Sequence, residues 1–367
     1  MSLPKILILN DTIDLIADGY LSETFSISTQ KGFNVGKLVD SEMIFTVKNN
    51  NYQFNEDHSK SLLYGVNWRQ GSIKVKNRHN DTIWEGYIYD IQPDFQGSAQ
   101  IIAKSIINQI IEQPIEYESA DWETVGDALY NIFDAYSFTN YDSKTLQRTI
   151  NVLTDNGCYV KCSINKSDNL TLQNAIVKLC EVGCCDYYPW KNNLYIQHWE
   201  ENKGSIVTDI QESEILDIPQ ISTLMDNVVN EYSIDHYESG GTPETDSNNN
   251  NIMSKSRTLY GTREIPAFDT GPGKQVVFKD STSAVYIGET YYKRVHLNPV
   301  DPIKKPLPIR QVILPINISS NDWVDMQSKF LLNFSDMEWT DKLLEVYGID
   351  YRENENIQYI TAQEVTA

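Results

Sequence analysis

Ser72-Ile-Lys-Val-Lys76 followed by Thr82-Ile-Trp-Glu-Gly-Tyr-Ile-Tyr-Asp90 is the stretch that decides the fold class. Apolar and polar residues alternate in both runs, the period of two expected of a strand with one buried face. Asn77 to Asp81 between them supplies turn-favouring residues, so the pair reads as a β-hairpin. Gly86 in the second strand marks either a bulge or a place where another backbone comes close.

Working outward, Ile6 to Leu9, Phe25 to Ser28 and Met43 to Val47 are further short β-favouring runs separated by polar or glycine-containing turns. Residues 1–104 therefore read as a first β domain. The pattern then changes. Asp121 can cap a helix that puts Val125, Leu129, Ile132 and Tyr136 on one face. A strand from Cys158 to Ile164 follows. A second helix begins at Thr171, carries Leu172, Ile176 and Leu179 on a stripe, and ends at Gly183. Asn193 to Trp199 reads as another strand. Helix, strand, helix and strand in succession make residues 105–204 a compact α+β module.

Strand signals return in residues 205–319, at Asn227 to Ile234, Gln275 to Phe278 and Arg310 to Leu314. Within this region residues 239–256 are too polar to bury much and predict a long mobile loop. Pro299, Pro302, Pro306 and Pro308 stiffen the approach to its final strand. Residues 320–367 are predicted to be helical. Ser320 or Asn321 would cap a helix with Trp323, Met326, Phe330 and Phe334 on one face. A second helix would carry Trp339, Leu343 and Val346 and end at Gly348. The whole is α+β but mainly β: a β scaffold interrupted by an α+β insertion.

Composition narrows the function. The 367 residues are 40% hydrophobic and 11% aromatic, enough for two or three packed cores. The net charge of −21, from 51 acidic and 30 basic residues, comes with no Lys/Arg cluster and argues against tight binding to nucleic acid. Such a balance serves solubility, or a wall past which DNA slides without sticking. No apolar stretch reaches the ~20 residues of a membrane helix. The start, Met1-Ser-Leu-Pro-Lys5, lacks the regions of a signal peptide, so folding in a cytoplasm is expected.

Chemistry has little to stand on. Cys158, Cys162, Cys180, Cys184 and Cys185 do not form a secreted disulfide pattern. Cys158 and Cys162 share one strand face but lie about 13 Å apart there. Cys180 and Cys184 are one helical turn apart, and the spacing is not the C-x2-C of zinc sites. Buried free thiols are expected. His58, His79, His198, His236 and His296 are scattered. No HExxH, G-x-S-x-G, phosphate-loop or G-x-G-x-x-G motif occurs. The sequence thus names no catalytic, cofactor-binding or metal-ligating residue and predicts no enzyme.

Four segments carry a family resemblance. Trp84-Glu-Gly-Tyr-Ile-Tyr-Asp90 is similar to a hairpin strand of the phage baseplate-hub, or tail-associated, proteins. Leu170 to Trp199 resembles their inserted module. Asn227-Val-Val-Asn-Glu-Tyr232 resembles the strand opening their second β domain, and Tyr260-Gly-Thr-Arg-Glu-Ile265 the motif after its variable loop. The resemblance implies two tube-type antiparallel β-barrel domains, at 1–104 and 205–319, with the 105–204 insertion outside. It implies a homotrimeric ring joining the tail tube, or a distal tail protein, to a spike or tip protein. It further implies a place in the virion tail, with DNA passing through the lumen unbound. Two other readings stay open. One is a glycan-binding tail-tip module using Trp190 and Trp199 as platforms. The other is a cell-wall hydrolase with a carboxylate pair in a cleft.

Overall fold

The structure is a computed structural model. It describes residues 5–21, 26–30, 42–69, 71–76, 80, 82–94, 96–105, 114–191, 193–200, 208–223, 244–245, 251–252, 276–295, 309–317, 324, 326, 328–335, 339–352 and 357–365. The fold is mainly β, as the alternating patterns predict.

The first sheet takes β1 (Lys5–Ile8), β2 (Ile13–Asp14), β4 (Glu42–Lys48), β5 (Ser72–Lys76), β6 (Thr82–Pro93) and β7 (Ser98–Lys104), while β3 (Ser26–Gln30) leaves for another sheet. Its order is β2-β1-β5-β6-β7-β4, antiparallel throughout. The β5–β6 hairpin forms as expected. Ile73 and Val75 point inward with Ile6, Ile8, Val47 and Ile101, all fully buried. Each such side chain contributes about 1.5–3 kcal/mol on leaving water. At Gly86 the close-approach reading holds, since a Cβ there would lie 2.2 Å from the Lys104 carbonyl oxygen. Register shifts occur nearby, between Val75 and Lys76 and between Ile88 and Asp90.

A helical module follows. It comprises α1 (Val125–Ala135), α2 (Ser143–Asp155) and α3 (Leu172–Val182), with strands β8 (Tyr117–Glu118), β9 (Val160–Ile164), β10 (Cys185–Trp190) and β11 (Asn193–His198). The cap of α1 is Thr124 rather than Asp121. Its Oγ1 accepts from Asp127 N at 3.0 Å, and Asp127 Oδ2 accepts from Thr124 N at 3.1 Å, a capping box worth about 1 kcal/mol. Thr171 caps α3 as expected, accepting from Asn174 N. Gly183 does end α3, but at φ −87°, so no left-handed turn needs it. It is required by packing, because a Cβ would come 2.9 Å from Val125 Cγ1.

Two elements from the 205–319 region join this module. Strand β16 (Val276–Phe278) pairs with β9, and α4 (Ser281–Val295) packs Ala284 and Ile287 into the same core. The helix corrects the expectation of strands alone in that region. Among the described residues of the polar 239–256 stretch, β14 (Glu244–Thr245) and β15 (Asn251–Ile252) form a short antiparallel ladder. Asn227 to Ile234, Tyr260 to Ile265, the proline-rich approach, Ser320, Asn321 and Trp323 lie outside the described residues.

The second sheet holds β12 (Thr208–Ile210), β13 (Gln220–Thr223), β17 (Arg310–Asn317), β18 (Lys329–Phe334), β19 (Trp339–Arg352) and β20 (Ile357–Glu364). Its order is β12-β18-β19-β20-β17-β13, with β3 also paired to β19. All pairs but β12–β18 are antiparallel. The predicted C-terminal helical segment at 320–367 is therefore wrong: Phe330, Phe334, Trp339, Leu343 and Val346 lie on strands. Gly348, read as a helix end, sits in β19 where the register with β20 shifts after Val346.

That shift has a packing cause. Before it, Leu344 and Val346 fill the second sheet's core while Tyr347 enters the helical module's core. After it, Ile349 returns to the second sheet's core and Tyr351 reaches the first sheet's. The extra residue reverses which alternate side chains point inward. One strand thereby serves three cores.

Candidate functional site

A buried polar cluster lies where the helical module meets the second sheet. Arg294 on α4 places Nη1 2.8 Å from Glu345 Oε2 on β19 and Nη2 3.2 Å from Asp186 Oδ2 on β10. All three side chains are almost fully buried. Trp199 Nε1 donates to Asp186 Oδ1 at 3.0 Å, and the guanidinium lies over the Trp199 ring, 5.7 Å from its centroid. Burial alone would lower the Arg294 pKa, but the Glu345 and Asp186 carboxylates outweigh it and hold the pKa above its ordinary value. The arrangement fixes one element against another; a permanently charged guanidinium between two carboxylates moves no proton.

A second charged group lies along the same sheet. Glu364 accepts from Arg310 Nε at 2.7 Å and is paired with Lys342 Nζ at 2.5 Å. Nearer α4, Glu200 accepts from the Tyr286 hydroxyl at 3.0 Å and pairs with Lys293 at 3.7 Å. The Glu364 group lies wholly within the second sheet and the Glu200 group joins the module to its own helix α4, so the Arg294–Glu345 pair is the one of these that crosses from the module to the second sheet. Arg294 is 108 residues from Asp186 and 51 from Glu345, so no local motif announces them.

The five cysteines are free and buried, all in the module's core. Burial pushes the Cys162 thiol up to about 12 and also raises Cys158, Cys180 and Cys184, so none of these four is a ready nucleophile. Cys158 precedes β9 rather than sharing its face with Cys162. Among the described residues no group of three or more His, Cys, Asp or Glu is arranged to hold a metal. The platforms required by the glycan reading do not stand open. Trp190 is 5% exposed, and Trp199 packs half-buried with its indole bonded to Asp186. No helix among the described residues is long and apolar enough to cross a membrane.

The chain matches no protein-family model, and no curated protein sequence matches it. Solved structures do match, and over the full length. The 43 kDa tail protein of prophage MuSo2 from Shewanella oneidensis aligns with a TM-score of 0.59 at 9% identity, over 99% of this chain and 98% of that one. A tail protein from Neisseria meningitidis aligns with a TM-score of 0.59 at 9% identity, over 99% and 97%. A prophage tail protein from Listeria monocytogenes gives 0.52 at 13% identity, over 99% and 94%. At such identities the likeness is one of fold. The chain has the fold of phage tail proteins, in agreement with the resemblance of its sequence segments.

Proposed function

We propose that this chain is a structural tail-hub protein of a phage or prophage virion, without catalysis of its own. The observation that carries the reading is the end-to-end match of its fold to phage tail proteins. Its two sheets would form two tube-type barrel domains, with the helical module decorating the outside. Three protomers would then present six barrels in a ring, matching a six-fold tail tube on one side and a three-fold tip or spike on the other.

Two further features support the ring. Leu216 and Ile218, just before the edge strand β13, are 47% and 69% exposed, a surface suited to burial against a neighbouring protomer. The net charge of −21 would keep a lumen from holding DNA during ejection. The test is the mass of the purified chain over a range of concentrations, with electron microscopy of any oligomer. Three copies of the 42.1 kDa chain, about 126 kDa, in a ring with an open centre are expected. A monomer at every concentration, or a particle with no central opening, refutes the proposal.

A further inference from the structure

Helix α2 ends at the one Asn-Gly pair in the 367 residues, Asn156-Gly157. The pair is a product of how the helix stops. Gly157 takes φ +64°, the left-handed conformation that glycine adopts without strain. Its N–H donates to Thr154 O at 3.0 Å, and Cys158 N donates to Leu153 O at 2.8 Å, the two bonds of a Schellman motif. Asn156 Nδ2 donates back to Val152 O at 2.8 Å and reinforces the last turn.

Asn-Gly is also the dipeptide whose second nitrogen is least shielded from the preceding side chain, because glycine carries no Cβ. That nitrogen, once deprotonated, attacks the Asn156 Cγ. The Cγ–Nδ2 bond breaks, ammonia leaves, and a five-membered succinimide forms. Water then opens the ring at either carbonyl, giving aspartate or isoaspartate. The folded turn opposes the first step. At ψ 7° the Gly157 nitrogen eclipses the backbone nitrogen of Asn156 and is turned away from its side chain. The attacking N–H is held by Thr154 O and the departing amide by Val152 O. Asn156 itself is exposed, so geometry rather than burial protects it.

The clamp on this turn is α4. Ser283, fully buried, accepts from Tyr159 N at 3.1 Å. Its hydroxyl lies 3.2 Å from the Gly157 carbonyl and 3.1 Å from Asp280 Oδ1, the two acceptors for its proton. Just before the helix, Lys279 N donates to Tyr159 O at 2.9 Å. We propose that Asn156 is a deamidation site gated by the docking of α4. It keeps its amide while the turn is clamped and converts, irreversibly, when α4 lifts. Isoaspartate adds one carbon to the main chain inside the turn, so the Schellman bonds and the Ser283 contact could not all form again. The modification thus records opening of the module in one direction.

The test holds the full chain at mildly alkaline pH and follows the peptide spanning Asn156 by mass spectrometry, for the gain of one mass unit and for isoaspartate. The chain unfolded in guanidinium chloride should convert at least about tenfold faster than the folded chain. Ser283→Ala removes the clamp's hydroxyl, which takes no part in the chemistry. It should speed conversion of the folded protein about three- to tenfold, the opening gained by losing one or two buried hydrogen bonds, and leave the rate in guanidinium chloride unchanged. In the parent protein below its unfolding midpoint, conversion should rise with denaturant in step with hydrogen exchange of the Cys158 amide, a check that needs no variant. No conversion in guanidinium chloride overturns the proposal, as do equal rates in folded and unfolded chains. So does a Ser283→Ala rate equal to the parent's, or conversion that does not follow Cys158 exchange. The tail-hub reading stands or falls separately, since these rates read a turn within one chain.

Discussion

Replacing Arg294 with Met tests whether the module is held to the second sheet by charge. The substitution keeps an unbranched apolar stem in the same space and removes the guanidinium. Asp186 and Glu345 would remain in place, with side chains 2% and 7% exposed, and lose the cation they share. Removing one partner of a buried ion pair typically costs about 3–5 kcal/mol. At about 2 °C per kcal/mol for a chain of this size, the melting temperature should fall by about 6–10 °C. The loss should depend on pH in a defined direction. Removing the guanidinium takes away a cation that favours the charged form of both buried carboxylates, so the variant's deficit should shrink as pH falls and they take up protons. Adding Glu345→Gln to Arg294→Met should restore much of the loss near neutral pH. Thermal melts over a pH series measure both effects, and hydrogen exchange in α4 and β10 locates them. A melting temperature within about 1 °C of the parent, or a deficit unchanged by pH and by the second substitution, would refute the argument.

Two other perturbations follow from the geometry. Gly86→Ala drives a Cβ to 2.2 Å from the Lys104 carbonyl oxygen, a backbone atom that cannot swing aside, and should cost about 3 kcal/mol in denaturant unfolding; a change under about 0.5 kcal/mol would show the strands part freely. Glu364 is pulled in opposite senses, burial raising its pKa and the hydrogen bonds from Arg310 and Lys342 lowering it, with the net value below the ordinary 4.5. A lowered folded pKa stabilises the protein above the unfolded pKa, and that contribution is lost as pH falls through the folded value. Glu364→Gln should therefore destabilise by about 1–2 kcal/mol near neutral pH and approach the parent in acid, as read from urea midpoints; a constant difference across pH would count against the pairing.

The elements legible in the sequence are those whose burial is one-sided. In β4 and β5 buried and less buried side chains alternate along each strand, and the β5–β6 hairpin could be read directly. The α1 and α3 helices show a clear apolar stripe beside a capping threonine. Helix α2 escaped because its inner face is half polar, with Thr145 and Thr149 buried beside Leu146 and Leu153. Helix α4 is rich in Thr, Tyr and Val, residues that favour strands, and is held by packing against the module. Strand β19 reads as a helix in sequence for the opposite reason. Leu344 through Ile349 are buried on both faces, which erases the alternation, and Leu343 and Val346 happen to fall at helical spacing. The Arg294 junction gave no signal, since its residues meet only after long crossings.

The pairing of β3 with β19 has a consequence for how the protein is made. Ser26 to Gln30 must wait for partners made on the order of three hundred residues later, and Tyr351 then enters the core built by the first sheet. During synthesis that first sheet can assemble most of its ladder early but cannot seal. Its unfinished face stays in contact with solvent, and with chaperones, for most of the time the ribosome spends on the chain. A ribosome stalled before Trp339 should leave a nascent chain that is sensitive to protease around Ser26 to Gln30, and completing β19 should remove that sensitivity in a single step.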